Sequence, residues 1–148
     1  MMTGNYQNIL VAIDGSKEAE LAFKRALVIA QKNNSTVYLV NVIDLRSYVG
    51  LEAFDKSFPE RARDMSEGML EEYKERAITS GIDKVFILIE FGSPKELIPV
   101  EIAEKLNIDL IISGATGLNS IEKFFMGSVS ENIMRRAKCD VLIARDKE

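Results

Sequence analysis

The stretch NILVAIDGSKEAELAFKRALVIAQKNNSTVYLVNVI, residues 8–43, alternates two hydrophobic patterns. Its two ends, residues 8–14 (NILVAID) and 36–43 (TVYLVNVI), are short and nearly continuous apolar runs, typical of strands buried on both faces of a sheet. Between them apolar residues recur every three or four positions, which predicts an amphipathic helix ending near Asn33 and Asn34. The apolar stripe comprises Ala19, Ala22, Phe23, Ala26, Leu27 and Ala30. A strand–helix–strand unit is therefore predicted.

The same alternation continues to the end of the chain. Further strands are predicted at 84–90, 108–114 and 140–145, and further helices at about 59–80, from 93 onward and at about 128–138. Residues 44–60 have no sustained period and are predicted to form a loop. Strands that alternate with helices and are buried on both faces predict a mostly parallel sheet with helices on both sides. Residues 1–148 are expected to form a single α/β domain.

Two helix starts carry capping signals. Ser93-Pro-Lys-Glu96 has a serine cap, a proline at the first helical position and a glutamate that closes a capping box. Ser128-x-x-Glu131 predicts a second serine cap of the same kind. Pro99 lies a few positions inside the first of these helices, so a kink or a lost backbone hydrogen bond is expected there.

Composition excludes several classes of function. The 148 residues include no histidine, which excludes a Ser-His-Asp triad and histidine-ligated metal sites. The single cysteine, Cys139, excludes an internal disulfide and is expected to act as a small hydrophobe. A net charge of −4 argues against nucleic-acid and membrane partners. No signal-peptide pattern or membrane-length apolar run occurs, so the cytoplasm is the expected location.

The candidate binding site is the carboxyl edge of the sheet, where open α/β sheets bind ligands. The stretch SGATGLNSIEKFFMGSVSEN, residues 113–132, follows the fourth predicted strand. In it Gly114 and Gly117 bracket a turn, and Gly127 precedes a helix whose free N–H groups and dipole favour an anion. The hydroxyls of Ser128 and Ser130 could add donors. On the residues alone, a phosphate site and an ordinary strand–helix connection both remain open.

Other residues near this edge also allow two interpretations. Asp14, after the first strand, would contact ribose hydroxyls or a metal-bound phosphate, or would form an Asx turn before the helix. Lys123 would reach a phosphate or remain solvated, and Phe124, Phe125 and Met126 are expected in the core or an interface. Neither a P-loop nor a G-x-G-x-x-G fingerprint occurs in the chain.

The glycine spacing carries a family resemblance. Gly114-x2-Gly117-x9-Gly127-Ser128 matches the G-x2-G-x9-G-[ST] motif of the universal stress protein family without departure. The segments ILVAIDGSKEAELAFKRAL, VYLVNVID and CDVLIAR resemble the family's first strand and helix, second strand and closing strand. The likeness covers nearly the whole chain, which thus resembles the UspA-like, ATP-binding branch of the family.

The resemblance implies a Rossmann-like, five-stranded parallel open sheet with two helices on each face, as in adenine nucleotide alpha hydrolase-like proteins. It also implies a homodimer through the last strand (Val141, Leu142 and Ile143). The expected cofactor is ATP, with AMP or ADP as alternatives, and with Mg²⁺ or Mn²⁺ on the phosphates. The implied site comprises Ala12, Ile13, Asp14, Val42, Ser113, Gly114, Thr116, Gly117, Gly127, Ser128, Val129 and Ser130. No catalytic residue is expected, so a regulatory stress-response module is favoured over a slow ATPase or an autophosphorylating phosphotransferase.

Overall fold

The computed structural model describes residues 5–47, 57–116 and 126–146. The strands are β1 (Asn8–Ala12), β2 (Thr36–Ile43), β3 (Val85–Phe91), β4 (Leu110–Gly114) and β5 (Asp140–Ala144). The helices are α1 (Lys17–Asn33), α2 (Phe58–Thr79), α3 (Pro94–Glu96), α4 (Ala103–Lys105) and α5 (Ser128–Arg136), with a π-helix (Leu97–Ile102) joining α3 to α4 and a 3₁₀ turn at Leu45–Ser47.

All five strands are parallel and lie in the order β3-β2-β1-β4-β5. The chain runs outward from β1 through β2 to β3, and then crosses to the other side of β1 to form β4 and β5. The strand order therefore reverses between β1 and β4, which is the switch point where doubly wound sheets bind ligands. The predicted fold class, a parallel α/β sheet with helices on both faces, is confirmed.

The two faces of the sheet bury separate hydrophobic cores. Alternate residues of β1 divide between them: Ile9 and Val11 pack under α1 and α2, whereas Leu10 packs under the π-helix and α5. All three side chains are fully buried, as the continuous apolar run predicts. Cys139 packs against the second core, where burial raises the pKa of its thiol. It behaves as the predicted small hydrophobe.

Three predicted boundaries need correction. The first strand ends at Ala12 because the residues after Ile13 turn into α1. The fourth strand begins only at Leu110, since the N–H of Ile108 still closes the end of α4 on the carbonyl of Ala103 (2.9 Å). The predicted loop 44–60 contains the 3₁₀ turn and ends where α2 begins, at Phe58; its residues 48–56 lie outside the described residues.

α2 buries only part of the stripe of residues that recur four positions apart in it, Met65, Met69, Tyr73 and Ala77. Ala77 is fully buried, whereas Met65 is 78% exposed and Leu70 is buried instead. An α-helix has 3.6 residues per turn, so positions four apart drift steadily around its axis. Over the three turns between Ala77 and Met65, residues spaced four apart therefore rotate away from the core.

Pro99 is accommodated by the π-helix. In a regular α-helix its ring would abut a carbonyl of the preceding turn, and its missing N–H would leave that carbonyl unpaired. Widening of the turn at Leu97–Ile102 gives the ring a buried place. At the start of this segment Pro94 does occupy the first turn, but the hydroxyl of Ser93 makes no cap hydrogen bond, so the predicted capping box is wrong.

A polar contact fastens α1 to α2 near the first core. Glu20 forms an ion pair with Arg76, and the hydroxyl of Tyr73 donates to Glu20 (3.1 Å). The hydrogen bond from Arg76 lowers the pKa of Glu20. Burial, with the neighbouring Glu20 carboxylate, raises the pKa of Tyr73 to about 12. The guanidinium also lies over the rings of Phe23 and Tyr73, at 4.8 and 5.0 Å from their centroids.

Replacing Gly81 with alanine should destabilise the protein by about 1–2 kcal/mol, because Gly81 ends α2 at φ +108°, where an L side chain is strained. The matched change Gly68→Ala, inside the same helix with open space at its Cβ position, should stabilise by about 0.5–1 kcal/mol. Urea unfolding of both variants measures the difference. Equal effects would contradict the role given to Gly81.

Candidate functional site

The candidate site lies where the carboxyl ends of β1 and β4 meet at the switch point. One side is formed by the turn Asp14–Ser16 between β1 and α1. The other side is formed by Ala115 and Thr116, which follow β4, and by Gly127, which precedes α5. The predicted motif residue Gly117 and the residues Lys123, Phe124 and Phe125 lie outside the described residues.

On the β1 side, Asp14 forms the Asx turn that was one of its two predicted interpretations. Its carboxylate accepts the N–H of Ser16 (2.9 Å), and the hydroxyl of Ser16 accepts the N–H of Ala19 (3.1 Å) to cap α1. The carboxylate is exposed and a carboxylate accepts several hydrogen bonds, so the Asx turn leaves it able to meet a ligand. The Asx turn therefore fixes the position of the Asp14 carboxylate.

The other predicted residues of this side are largely buried. The N–H of Ile13 donates to the carbonyl of Val40 (2.8 Å), and the Ile13 side chain is 2% exposed in the first core. Ala12 packs against the second core, as does Val42, which is 7% exposed. These residues can therefore offer a ligand a small apolar surface and their backbone groups.

On the β4 side the backbone approaches α1 very closely. Ser113 is buried and its hydroxyl donates to the carbonyl of Gly114 (3.1 Å). Gly114 lies directly against Glu18 in the first turn of α1. Thr116 is half-buried at the last described position before the motif's central segment.

The start of α5 is capped differently from the prediction. Gly127 is the N-cap residue, with extended backbone (φ −69°, ψ 161°), and Ser128 is the first helical residue with no side-chain cap bond. The predicted cap at Ser128 is therefore wrong by one position. The extended backbone of Gly127 is the conformation that an N-cap residue adopts, so the helix begins after it.

The carbonyl of Ala115 closes the connection between β4 and α5. It accepts the N–H of Gly127 (2.8 Å) and the hydroxyl of Ser130 (2.7 Å). Ser130 is 2% exposed, and its hydroxyl lies 2.7 Å from this carbonyl and 3.1 Å from the carbonyl of Gly127. These hydrogen bonds hold Ala115, the residue after Gly114, beside Gly127. The hydroxyl of Ser130 is thus bonded to the protein backbone.

The start of α5 carries backbone N–H groups that make no hydrogen bond within the helix. The first helical hydrogen bond of α5 is that from the N–H of Glu131 to the carbonyl of Gly127 (3.0 Å). Among the described residues, the N–H groups of Ser128, Val129 and Ser130 have no acceptor. Their alignment with the positive end of the helix dipole favours an anion there.

An ion pair lies at this edge in the part of the chain that the structure describes. Lys17, the first residue of α1, lies 3.6 Å from the carboxylate of Asp146. Neither residue was predicted near the site, because only the fold brings the end of β5 beside α1. Within the described ranges no three acidic, cysteine or histidine side chains converge as a metal site, and no helix is long and apolar enough to cross a membrane.

Comparison with known proteins identifies the family. A family model for the universal stress protein family matches residues 5–145. The chain belongs to this family. A Staphylococcus aureus (strain USA300) protein named as a universal stress protein is 49% identical over 143 residues, covering 97% of this chain and 86% of the relative.

Solved structures of similar proteins share the fold. The hypothetical protein MJ0577 has a TM-score of 0.86 at 30% identity, with 97% of this chain and 99% of that protein covered. A universal stress protein in complex with cAMP has a TM-score of 0.69 at 29% identity, covering 95% of this chain and 98% of the other. The universal stress protein fold of the chain is therefore shown by both sequence and structure.

Ser130→Ala should cost about 1 kcal/mol, because it removes the buried hydroxyl that holds Ala115 beside Gly127. The matched change Ser128→Ala, two positions earlier and exposed, should stay within about 0.5 kcal/mol. Equilibrium urea unfolding distinguishes the two. If Ser128→Ala were the costlier change, the cap at Gly127 would be contradicted.

Proposed function

We propose that the chain is an adenine-nucleotide-binding regulatory protein of the stress response, with ATP as its ligand. The observation that carries the proposal is the closed connection at the switch point. The Gly114-x2-Gly117-x9-Gly127-Ser128 spacing ends in a helix start whose three leading N–H groups have no acceptor among the described residues. These donors suit phosphate oxygens, and the cAMP complex of a relative 29% identical supports an adenine nucleotide.

The proposed ligand lies across both sides of the switch point. Ala12, Ile13 and Val42 would border the adenine, and Asp14 would face the ribose. Gly114, Thr116 and Gly117 would line the ribose and phosphates. The phosphates would meet the backbone of Gly127–Ser130, where glycine leaves the approach free of a Cβ atom. AMP and ADP remain alternatives, since they present the same base and phosphate chemistry.

A divalent cation fits the proposal only if the phosphates supply most of its ligands. The exposed carboxylate of Asp14 is a hard oxygen ligand of the kind that Mg²⁺ and Mn²⁺ accept. No further acidic groups converge with it among the described residues. Phosphate oxygens and water would therefore supply most of the coordination, and the cation would neutralise phosphate charge beside a Lys17 that is already engaged with Asp146.

The second candidate function is a slow ATPase or an autophosphorylating phosphotransferase. It is favoured by the same phosphate-binding helix start, but phosphoryl transfer also needs charge neutralisation and a positioned nucleophile. If the purified protein hydrolysed or transferred ATP over multiple turnovers without a partner, the enzyme hypothesis would replace that of a binding module. A protein that carries no nucleotide after gentle purification, and shows no thermal shift with ATP·Mg²⁺, would instead be an interaction protein with an empty crevice.

Gly127→Val should abolish nucleotide binding and leave the protein folded. The extended backbone of Gly127 suits valine, so the cost to folding is that of a poorer N-cap, while the side chain occupies the phosphate's place. Isothermal titration with ATP·Mg²⁺ measures the loss, with circular dichroism as the check of fold. Gly68→Val, on the exposed surface of α2, is the matched control and should bind ATP normally. Unchanged affinity in folded Gly127→Val would contradict the site.

We propose that the protein is a cytoplasmic homodimer joined through β5, which is an edge strand in the described sheet. Of its apolar residues Val141, Leu142 and Ile143, only Ile143 packs against neither core. Ile143→Lys should therefore give a folded monomer in sedimentation velocity. Ile78→Lys makes the same change at a 50% exposed position of α2 and should leave the dimer intact. A monomeric wild type, or a dimeric Ile143→Lys variant, would refute this interface.

A further inference from the structure

The first turn of α1 is seated on the bare backbone of β4. A Cβ atom built on Gly114 would lie 2.6 Å from the Cβ of Glu18, and 2.8 Å from the carbonyl carbon and oxygen of Glu18. Ordinary van der Waals contact begins at 3.4 Å. Two of the three close atoms belong to backbone, so a rotamer change of Glu18 would not relieve the contact.

The side-chain position of Gly114 is therefore filled by the protein itself. Gly114 lies on the same face of β4 as Ile112, which packs in the first core under α1. The free N–H groups at the start of α5 lie on the helix that packs against the second core. Glycine at 114 clears space for α1, and no ligand atom can occupy that space.

The same turn of α1 carries one side of the candidate site. The carboxylate of Asp14 holds the N–H of Ser16, and the hydroxyl of Ser16 holds the N–H of Ala19, so the turn and the helix start are one hydrogen-bonded unit. The N–H of Glu20 adds a bond to the carbonyl of Ser16 (3.2 Å). If this unit moves away from β4, Asp14 moves with it.

The other side of the site is held to β4 by a separate set of bonds. Ala115 follows Gly114 directly, and its carbonyl fixes Gly127 and Ser130. The contact between Gly114 and Glu18 is thus a direct packing contact between the unit that carries Asp14 and the strand that leads to the start of α5. We propose that Gly114 is a positioning residue, whose missing side chain lets α1 seat on β4 and sets the spacing of the two sides of the nucleotide site.

This inference rests on the proposed function and is tested with Gly114→Ala in the full chain. We expect the affinity for ATP·Mg²⁺ to fall at least tenfold in isothermal titration. Hydrogen exchange of the Ala19 and Glu20 amides should become faster, because the first turn of α1 is displaced. Gly81→Ala is the control for destabilisation, since an L side chain is strained at the φ of Gly81, which follows the end of α2. It should leave both the ATP affinity and the exchange of these amides unchanged.

The outcomes separate the alternatives. Wild-type protein that binds no ATP contradicts the proposed function. If the wild type binds ATP, a Gly114→Ala variant of equal affinity overturns the positioning role. Weaker binding with unchanged exchange at Ala19 and Glu20 also overturns it, because the loss of affinity would then occur without displacement of α1. An equal loss in Gly81→Ala would assign the effect to general destabilisation.

A second variant covers the case in which Gly114→Ala does not fold. Ser16→Ala removes the cap of α1 without adding bulk, so it loosens the same turn from the opposite side. We expect it to accelerate exchange at Ala19 and to weaken ATP binding several-fold. Ser16→Ala with faster exchange and wild-type affinity would show that the placement of this turn does not matter for the ligand, and would overturn the inference.

Discussion

The burial of β1 on both faces and along both edges is the constraint on which the rest of the fold depends. β1 pairs with β2 on one side and with β4 on the other, and Ile9, Leu10 and Val11 are completely buried. A parallel strand in this position needs a helix on each face, because its alternating side chains require two cores. With β2 on one side of β1 and β4 on the other, the strand order reverses beside β1, and the reversal opens a crevice at its carboxyl end.

The crevice is assembled from backbone groups more than from side chains. The carbonyl of Ala115 receives two hydrogen bonds from the start of α5, and the N–H of Ala115 donates to the carbonyl of Ala144 in β5 (3.1 Å). Buried hydrogen bonds of this kind are costly to leave unmade, so the position of α5 is fixed by the fold. Ala115 therefore links the free N–H groups of α5 to the edge strand through which we propose that two copies join.

The sequence predicted those parts of the molecule that depend on periodicity, and it was less accurate where tertiary contacts decide. The period of α1 and the full span of β2 follow from local pattern, and both are confirmed. The cap of α5 could not be placed, because Ser128 with Glu131 matches the capping pattern better than Gly127 does, whereas the carbonyl of Ala115 binds both Gly127 and Ser130 and holds the helix start there. Likewise Gly114 was interpreted from its motif, whereas its contact with Glu18 joins residues far apart in sequence.

The kind of donor at the site bears on what a bound nucleotide would undergo. Backbone N–H groups at the start of α5 would bind phosphate charge that the nucleotide already carries in its ground state. Such uniform binding lowers the dissociation constant without accelerating a reaction. Acceleration would need groups that act mainly in the transition state, such as a cation that reaches the terminal phosphate. At this edge Lys17 is engaged with Asp146, and Asp14 adds negative charge. These features favour a site in which nucleotide occupancy, more than turnover, carries the signal.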